Sequence, residues 1–325
     1  MKLANIYGFL RKDIQDIERR LSQTIDAEHP ILRDASVQLL RAGGKRIRPV
    51  FVLLAGHFGD YKTREDDIKS VAVALELIHM ATLVHDDVVD DADLRRGKPT
   101  VKHLYGDRIA MYAGDYMLAR ALKLLTTVED PFLHRTLSKA LVQVVEGEVA
   151  QIEDKFNVDQ NLRNYLRRIK RKTALLIATS CKLGAIAAGT TKREANLLYR
   201  YGYNVGMSFQ IIDDILDFTA SEKQLGKPTG SDLIQGNITL PILYAMEDEV
   251  FLEKITTIFE QPSKVTEENI DIILHALKET DAIERAYELS NWYLEKALHS
   301  LETLQNNKAK KTLHTIAKMI GKRRF

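Results

Sequence analysis

The stretch Ala81-Thr82-Leu83-Val84-His85-Asp86-Asp87-Val88-Val89-Asp90-Asp91 runs an apolar segment straight into a cluster of carboxylates. Phe209-Gln210-Ile211-Ile212-Asp213-Asp214-Ile215-Leu216-Asp217 does the same a second time. On an α-helix residues i and i+4 lie about 40° apart around the axis. Asp86 and Asp90 therefore project from one face with Asp87 beside them, and Asp213, Asp214 and Asp217 repeat the geometry. Carboxylates this dense cannot all stay ionised behind buried positions unless cations sit between them. An all-oxygen donor set suits magnesium, which keeps waters and completes its shell with phosphate oxygens. The two motifs together read as a magnesium-bridged diphosphate site. The bland alternative, a solvated acidic helix end, fits poorly because each motif follows a strongly apolar run.

Helical periodicity extends outward from both motifs, and period-2 alternation is scarce. Leu75, His79, Thr82, Asp86 and Asp90 form one stripe, apolar above and acidic below. Gly206, Gln210, Asp213 and Asp217 form a second. Leu162, Tyr165, Leu166 and Ile169 form a third, whose inner face continues into Lys172 and Thr173. Core helices that turn polar groups inward line a site. A helix near Ile31 to Ala42 is stopped by Gly43-Gly44, and Pro49 opens the next. The expected fold class is all-α.

Seven prolines and no Gly/Ser-rich linker favour one domain over residues 1–325. An apolar fraction of 45% supports a substantial core, and a formal charge of +2 argues against a nucleic-acid partner. Cys181 stands alone, which excludes a disulfide framework and points to a reducing compartment. The N-terminus lacks a signal-peptide apolar core. The apolar stretch from Thr173 to Gly189 is interrupted by Lys182 and too short to span a bilayer. A soluble cytoplasmic protein is expected, with peripheral membrane contact left open.

The cationic groups are read against the same site. Gly43-Gly44-Lys45-Arg46-Ile47-Arg48-Pro49 is a basic loop at a helix junction, suited to phosphate oxygens or simply solvated. Arg95 and Arg96 follow the first motif closely. They either neutralise diphosphate or pair locally with Asp91 and Asp93, and both can hold in different ligand states. Of the basic run Arg167, Arg168, Lys170, Arg171 and Lys172, most must face water or a partner, since they cover more than one helix face. Lys172 is the ligand-contact candidate. His79 is either a satisfied core histidine or a donor to phosphate. In Gly226-Lys227-Pro228-Thr229-Gly230-Ser231-Asp232 the glycines permit close backbone approach, and Lys227 could cover a diphosphate.

In order along the chain, the two acidic motifs, Gly-Lys-x-x-Arg-Pro, Leu-Arg-Arg-Gly, Lys172-Thr173, Phe209-Gln210 and Gly-Lys-Pro-x-Gly-x-Asp resemble the trans-isoprenyl diphosphate synthase family. The resemblance spans about Gly43 to Asp232 and is strongest to the catalytic large subunits of its two-component bacterial members, whose product has seven isoprene units. It implies an isoprenoid synthase fold of helices around a deep central cavity. It also implies that Asp86, Asp87, Asp90, Asp213, Asp214 and Asp217 hold Mg2+, three ions once the allylic diphosphate is bound. Arg95, Lys172, Thr173, Gln210 and Lys227 would contact that diphosphate. Lys45, Arg48, His79 and Arg96 would bind isopentenyl diphosphate. Ionisation of the allylic C1–O bond, attack by the isopentenyl double bond and proton loss then lengthen the chain by one unit, in a site that excludes water.

The resemblance further implies a small non-catalytic component I as partner and a product feeding the menaquinone side chain. The basic run Arg167–Arg171 could serve that partner or anionic lipid. Thr82 lies one turn before Asp86 on the stripe and is small. Ala81 enters only through the family, in which bulky residues there stop growth early; neither bulk nor a two-residue insertion is present, so long products are expected, about seven units by the resemblance. The alternatives are a homodimeric hexaprenyl, octaprenyl or geranylgeranyl-type synthase, a terpene cyclase, a phosphohydrolase using His85-Asp86, and a non-catalytic helical subunit. The intact second acidic motif argues against a cyclase, and the lack of further histidine ligands argues against a phosphohydrolase.

Overall fold

In a computed structural model the described residues are 8–95, 97–220 and 228–322. Apart from a two-stranded hairpin, Leu94–Arg95 paired antiparallel with Lys98–Pro99, their regular structure is helical. The chain divides into two compact units. Unit 1 comprises Met1–Leu137, Thr179–Tyr199 and Leu304–Leu313, and unit 2 comprises Ser138–Ala178, Arg200–Thr303 and His314–Phe325.

Unit 1 is organised by α4 (Glu65–Val89), packed on α3 (Ile47–Gly56) and α6 (Asp107–Leu125), with α1 (Arg11–Thr24), α2 (Pro30–Arg41) and the short α5 (Val101–Tyr105) around them. Ile68 to Ile78 is buried all round in α4, and Pro49 to Gly56 in α3. That is how a helix apolar on every side is accommodated in a protein interior. By length and hydropathy α4 could cross a membrane, but 78% of that window is buried inside the protein. The part of α9 (Leu175–Ala187) in this unit approaches α3 backbone to backbone, since a Cβ on Gly184 would lie 2.3 Å from the Val52 carbonyl oxygen. Helix α3 begins at Ile47, two residues before Pro49, which sits inside the first turn where its missing N–H is still harmless. As the sequence predicts, α2 ends before Gly43, which takes φ +75°.

Unit 2 holds the later part of α7 (Pro131–Glu153), α8 (Leu162–Ile169), a π-helical turn Lys170–Ala174, and most of α10 (Lys192–Thr219). The remaining helices are α11 (Ser231–Ile234), α12 (Leu240–Ala245), α13 (Glu249–Phe259), α14 (Glu267–Lys278), α15 (Ala282–Leu301) and the end of α16 (Lys308–Gly321). A Cβ on Gly206 of α10 would sit 2.5 Å from Ala174 Cα. Glycine there lets α10 lie directly against the π turn. Helix α7 presents Val142, Val145, Val149 and Ile152 outward, each 52–64% exposed. Their 3,4,3 spacing is that of a coiled-coil seam.

Candidate active site

In unit 1 the first acidic motif occupies the last turn of α4 and its C-cap. Asp86 and Asp87 are helical and Asp90 caps, its N–H donating to the Asp86 carbonyl at 2.8 Å. No basic residue lies in that turn, so the carboxylates face the negative end of the helix dipole. Along α4, His79, Thr82 and Asp86 are partly accessible where their neighbours Ile78, Ala81 and Asp87 are buried. The lower part of the predicted stripe is therefore accessible, while Leu75 at its top is buried; Leu83, His85, Val88 and Val89 at this end of the helix are accessible as well. The Thr82 hydroxyl donates to the His79 carbonyl at 2.9 Å.

Asp87 is only 2% exposed and accepts from Arg95 Nε and Nη2, both at 2.7 Å. Burial raises its pKa, the Arg95 guanidinium opposes that shift, and Asp90 adds to it. Arg95 pairs with Asp87 rather than taking the alternative of local pairing with Asp91 or Asp93. Lys102 takes Asp91, His103 Nδ1 lies 2.9 Å from Asp93, and the hairpin turns Arg95 back onto α4. Lys98 of the same hairpin donates to the Arg41 carbonyl at 2.9 Å, tying it to the end of α2 where the basic loop begins. Arg96 lies outside the described residues, as does Lys227.

The basic loop divides its three cations. Lys45 is exposed and Arg48 is half-buried. Arg46 is buried and pairs with Glu18 of α1 at 2.5 Å and Glu76 of α4 at 3.1 Å. It takes φ +47°, the left-handed region. Arg46 is thus the anchor of the loop rather than part of a phosphate-facing surface. His85 turns toward α6, with Nε2 3.3 Å from both the Met111 carbonyl and Asp115.

In unit 2 the second motif lies in the last turns of α10, again with no basic residue in the final turn. Asp214 is 3% exposed; Tyr165 donates to its Oδ2 at 2.7 Å and Gln210 Nε2 to its Oδ1 at 2.8 Å. Burial, with Asp232 nearby, pushes its pKa up to about 7 against the lowering effect of those two donors and Arg168. Thr173 in turn donates to Gln210 Oε1 at 2.6 Å. Asp217 is 1% exposed and accepts from Ser231 Oγ at 3.0 Å and the Asp232 N–H at 3.2 Å, holding the segment that enters α11. Asp213 stays partly accessible. Lys172 Nζ donates to Gln151 Oε1 of α7 at 2.8 Å.

The third predicted stripe is not one continuous α-helix, because Lys172 and Thr173 belong to the π turn, an irregularity that often accompanies functional sites. The basic run also needs correcting. Arg168 is buried rather than turned to water: it donates to Gln160 Oε1 at 2.7 Å and to the Ile238 carbonyl, with Asp154 at 3.8 Å. Arg171 pairs with Glu146 at 3.2 Å. Tyr165, Gln151 and Ser231 are contributions that sequence reasoning did not assign. Only Tyr165 carried a signal, its place on the inner stripe.

Among the described residues no three carboxylate, imidazole or thiolate groups are gathered as a metal cage. Magnesium does not require one, since it binds through one or two carboxylates with waters and phosphate oxygens. In each unit taken by itself, hard oxygen donors near a helix C-terminus, with a buried neighbour whose pKa is raised, suit a divalent cation.

Each unit thus holds a helix that ends in carboxylates beside amide, hydroxyl or basic donors, the donor chemistry of an enzyme of the helical prenyl-transfer class. The sequence matches the Polyprenyl synthetase family over residues 29–277, and the chain belongs to that family. It is a trans-prenyltransferase with an all-α isoprenoid synthase fold. It is 56% identical to heptaprenyl diphosphate synthase component 2 of Bacillus subtilis over all of this chain and 92% of that protein. The heptaprenyl diphosphate synthase of Staphylococcus aureus superposes with a TM-score of 0.91 at 42% identity, covering 99% of each chain. A Caulobacter crescentus polyprenyl synthase, solved with calcium and isoprenyl diphosphate, superposes with a TM-score of 0.90 at 29% identity over 100% of this chain and 98% of the other.

Proposed function

We propose that this chain is the catalytic subunit of a heptaprenyl diphosphate synthase, condensing isopentenyl diphosphate with an allylic diphosphate such as farnesyl diphosphate for the menaquinone side chain. The observation that carries this reading is the pair of intact acidic motifs, the first with Asp86 and Asp90 accessible and Asp87 buried, the second with Asp213 accessible and Asp214 and Asp217 buried. The 56% identity to the Bacillus subtilis component 2 supports the product and the two-component assembly.

The chemistry assigned to this chain's residues follows from exposure and bonding. Asp86, Asp90 and Asp213 are the carboxylates that reach the cations. Asp87, Asp214 and Asp217 stand behind them, held by Arg95, by Tyr165 with Gln210, and by Ser231 with Asp232. Bound Mg2+, three ions in the loaded enzyme, supplies the charge that stabilises the departing pyrophosphate. Arg95, Lys172, Thr173, Gln210 and Lys227 bind the allylic diphosphate, and Lys45, Arg48, His79 and Arg96 bind that of isopentenyl diphosphate. The stripe through Thr82, with Ala81 beside it by the family pattern, guides the growing hydrocarbon away from the acidic end of α4.

A small component I completes the enzyme. The exposed seam Val142, Val145, Val149 and Ile152 of α7 supports an apolar helical partner, since contiguous exposed apolar residues mark interaction surfaces. The water-insoluble product passes to a membrane. The test is to assay the purified chain with farnesyl diphosphate, isopentenyl diphosphate and magnesium, alone and with the small partner. Seven-unit product only on mixing is the expected result. Full-rate synthesis by the chain alone would instead favour a homodimeric polyprenyl synthase.

A further inference from the structure

We propose that Tyr165 is a positioning residue for the second acidic motif: its hydroxyl holds Asp214 inside unit 2, so that Asp213 alone in the Asp213-Asp214 pair faces the cation. The inference rests on the reading of that motif as a metal site.

Asp214 has two oxygens, and both are committed inward, Oδ2 to the Tyr165 hydroxyl and Oδ1 to Gln210 Nε2. A hydroxyl has one proton to give, and Tyr165 gives it to a carboxylate, the stronger class of hydrogen bond. The ring cannot drift. Tyr165 is fully buried on α8, and the Arg168 guanidinium lies 5.7 Å from its centroid. Arg168 is fixed in turn by Gln160 and the Ile238 carbonyl. Asp213 and Asp214, successive on α10, project about 100° apart, so a carboxylate held on the inner side leaves its neighbour on the accessible one. Gln210 extends the arrangement to Thr173, which donates to its Oε1 at 2.6 Å. The phosphate-facing π turn and the metal-facing helix thereby share one hydrogen-bonded frame.

Removing the hydroxyl leaves the buried Asp214 carboxyl with one donor for two oxygens. Oδ2 then lacks the bond that holds it inward, which releases Asp214 to rotate toward the cation side, where it competes with Asp213 for geometry. Tyr165→Phe keeps the ring and its packing and removes only that bond.

The test is Mn2+ binding to the full chain in the presence of inorganic pyrophosphate, followed by electron paramagnetic resonance, with thermal unfolding measured in parallel. The expected result is about a tenfold rise in the Mn2+ dissociation constant for Tyr165→Phe, equivalent to about 1.4 kcal/mol. The same change made in the Asp214→Asn background, where no charge is left to swing, should have no effect on Mn2+. Asp214→Asn alone should raise the constant clearly less than Asp213→Asn does. A Tyr165→Phe protein that loses stability but binds Mn2+ normally overturns the inference, as does an Asp214→Asn protein that binds Mn2+ as poorly as Asp213→Asn. If Asp213→Asn itself leaves Mn2+ binding unchanged, the metal-site reading fails first, and the positioning role falls with it.

Discussion

Replacing Arg46 by Ala tests whether the basic loop is anchored as the structure indicates. Arg46 has two carboxylate partners of different worth. The Glu18 side chain is 43% exposed and recovers hydration when the guanidinium leaves, so that arm contributes at most about 1 kcal/mol. Glu76 is 5% exposed and cannot. Removing one member of a buried pair costs about 3–5 kcal/mol, mainly through the charge left behind. The substitution should therefore destabilise unit 1 by about 3–5 kcal/mol. Arg46→Gly should lose roughly 1 kcal/mol less, because the φ of +47° strains any side chain-bearing residue. Adding Glu76→Gln to Arg46→Ala should recover much of the loss, since the orphaned charge is gone. Urea midpoints for the wild type, Arg46→Ala, Glu76→Gln and the double variant close the cycle, and the Michaelis constant for isopentenyl diphosphate should rise in Arg46→Ala because Lys45 and Arg48 flank the anchor. A loss below about 1 kcal/mol for Arg46→Ala, or simple additivity with Glu76→Gln, would refute the anchoring argument.

Asp86→Ala or Asp213→Ala should lower turnover at least a hundredfold, about 3 kcal/mol of transition-state stabilisation, with unchanged helical circular dichroism; near-normal turnover of either in magnesium with the partner present counts against the metal assignment. In chelated, metal-free protein the folded-state pKa of Asp214 near 7 lies above its ordinary value of 3.8. The folded chain holds the extra proton between those values, so stability falls as pH rises from about 4 to 7, by at most roughly 1.4 kcal/mol per pH unit. Unfolding measured at pH 5, 6 and 7 should show that slope flattened in Asp214→Asn. Ala81→Phe or Thr82→Tyr should shorten the product, read by chromatography of the dephosphorylated prenols, and an unchanged distribution would remove the α4 stripe as the hydrocarbon path.

The acidic motifs and their stripes were legible because helical period and residue type alone place Asp86 and Asp90, or Gln210 and Asp213, on common faces. Which carboxylate of each motif is buried was not legible. Asp87 and Asp86 differ only in what the hairpin and α4 bring against them, and the arrival of Arg95 depends on the turn at Gly97. The sequence also shows Lys45, Arg46 and Arg48 as one basic cluster, although their roles separate once Glu18 and Glu76 approach from two other helices. Arg168 is the same case in reverse: inside a run of five cations it reads as solvated, and only Gln160, eight residues upstream, and Ile238, seventy residues downstream, reveal it as internal. The π turn at Lys170–Ala174 has no marker in residue type. It accompanies the close approach of Ala174 to Gly206, a tertiary fact.

Both acidic motifs terminate helices, and this placement has an energetic meaning beyond supplying ligands. A carboxylate in the last turn of a helix opposes the dipole by about 0.3–1 kcal/mol, and burial of Asp87 and Asp214 adds a desolvation cost that Arg95, Tyr165 and Gln210 offset only in part, since both groups keep raised pKa values. Each helix end is therefore electrostatically unfavourable in the ligand-free chain, and a bound divalent cation removes that penalty. By linkage the same free energy must appear as stabilisation of the folded state when metal and diphosphate bind. If these carboxylates hold the cations as proposed, they are among the least stable features of the ligand-free chain, and Arg95, Tyr165 and Gln210 are the donors that partly offset that cost.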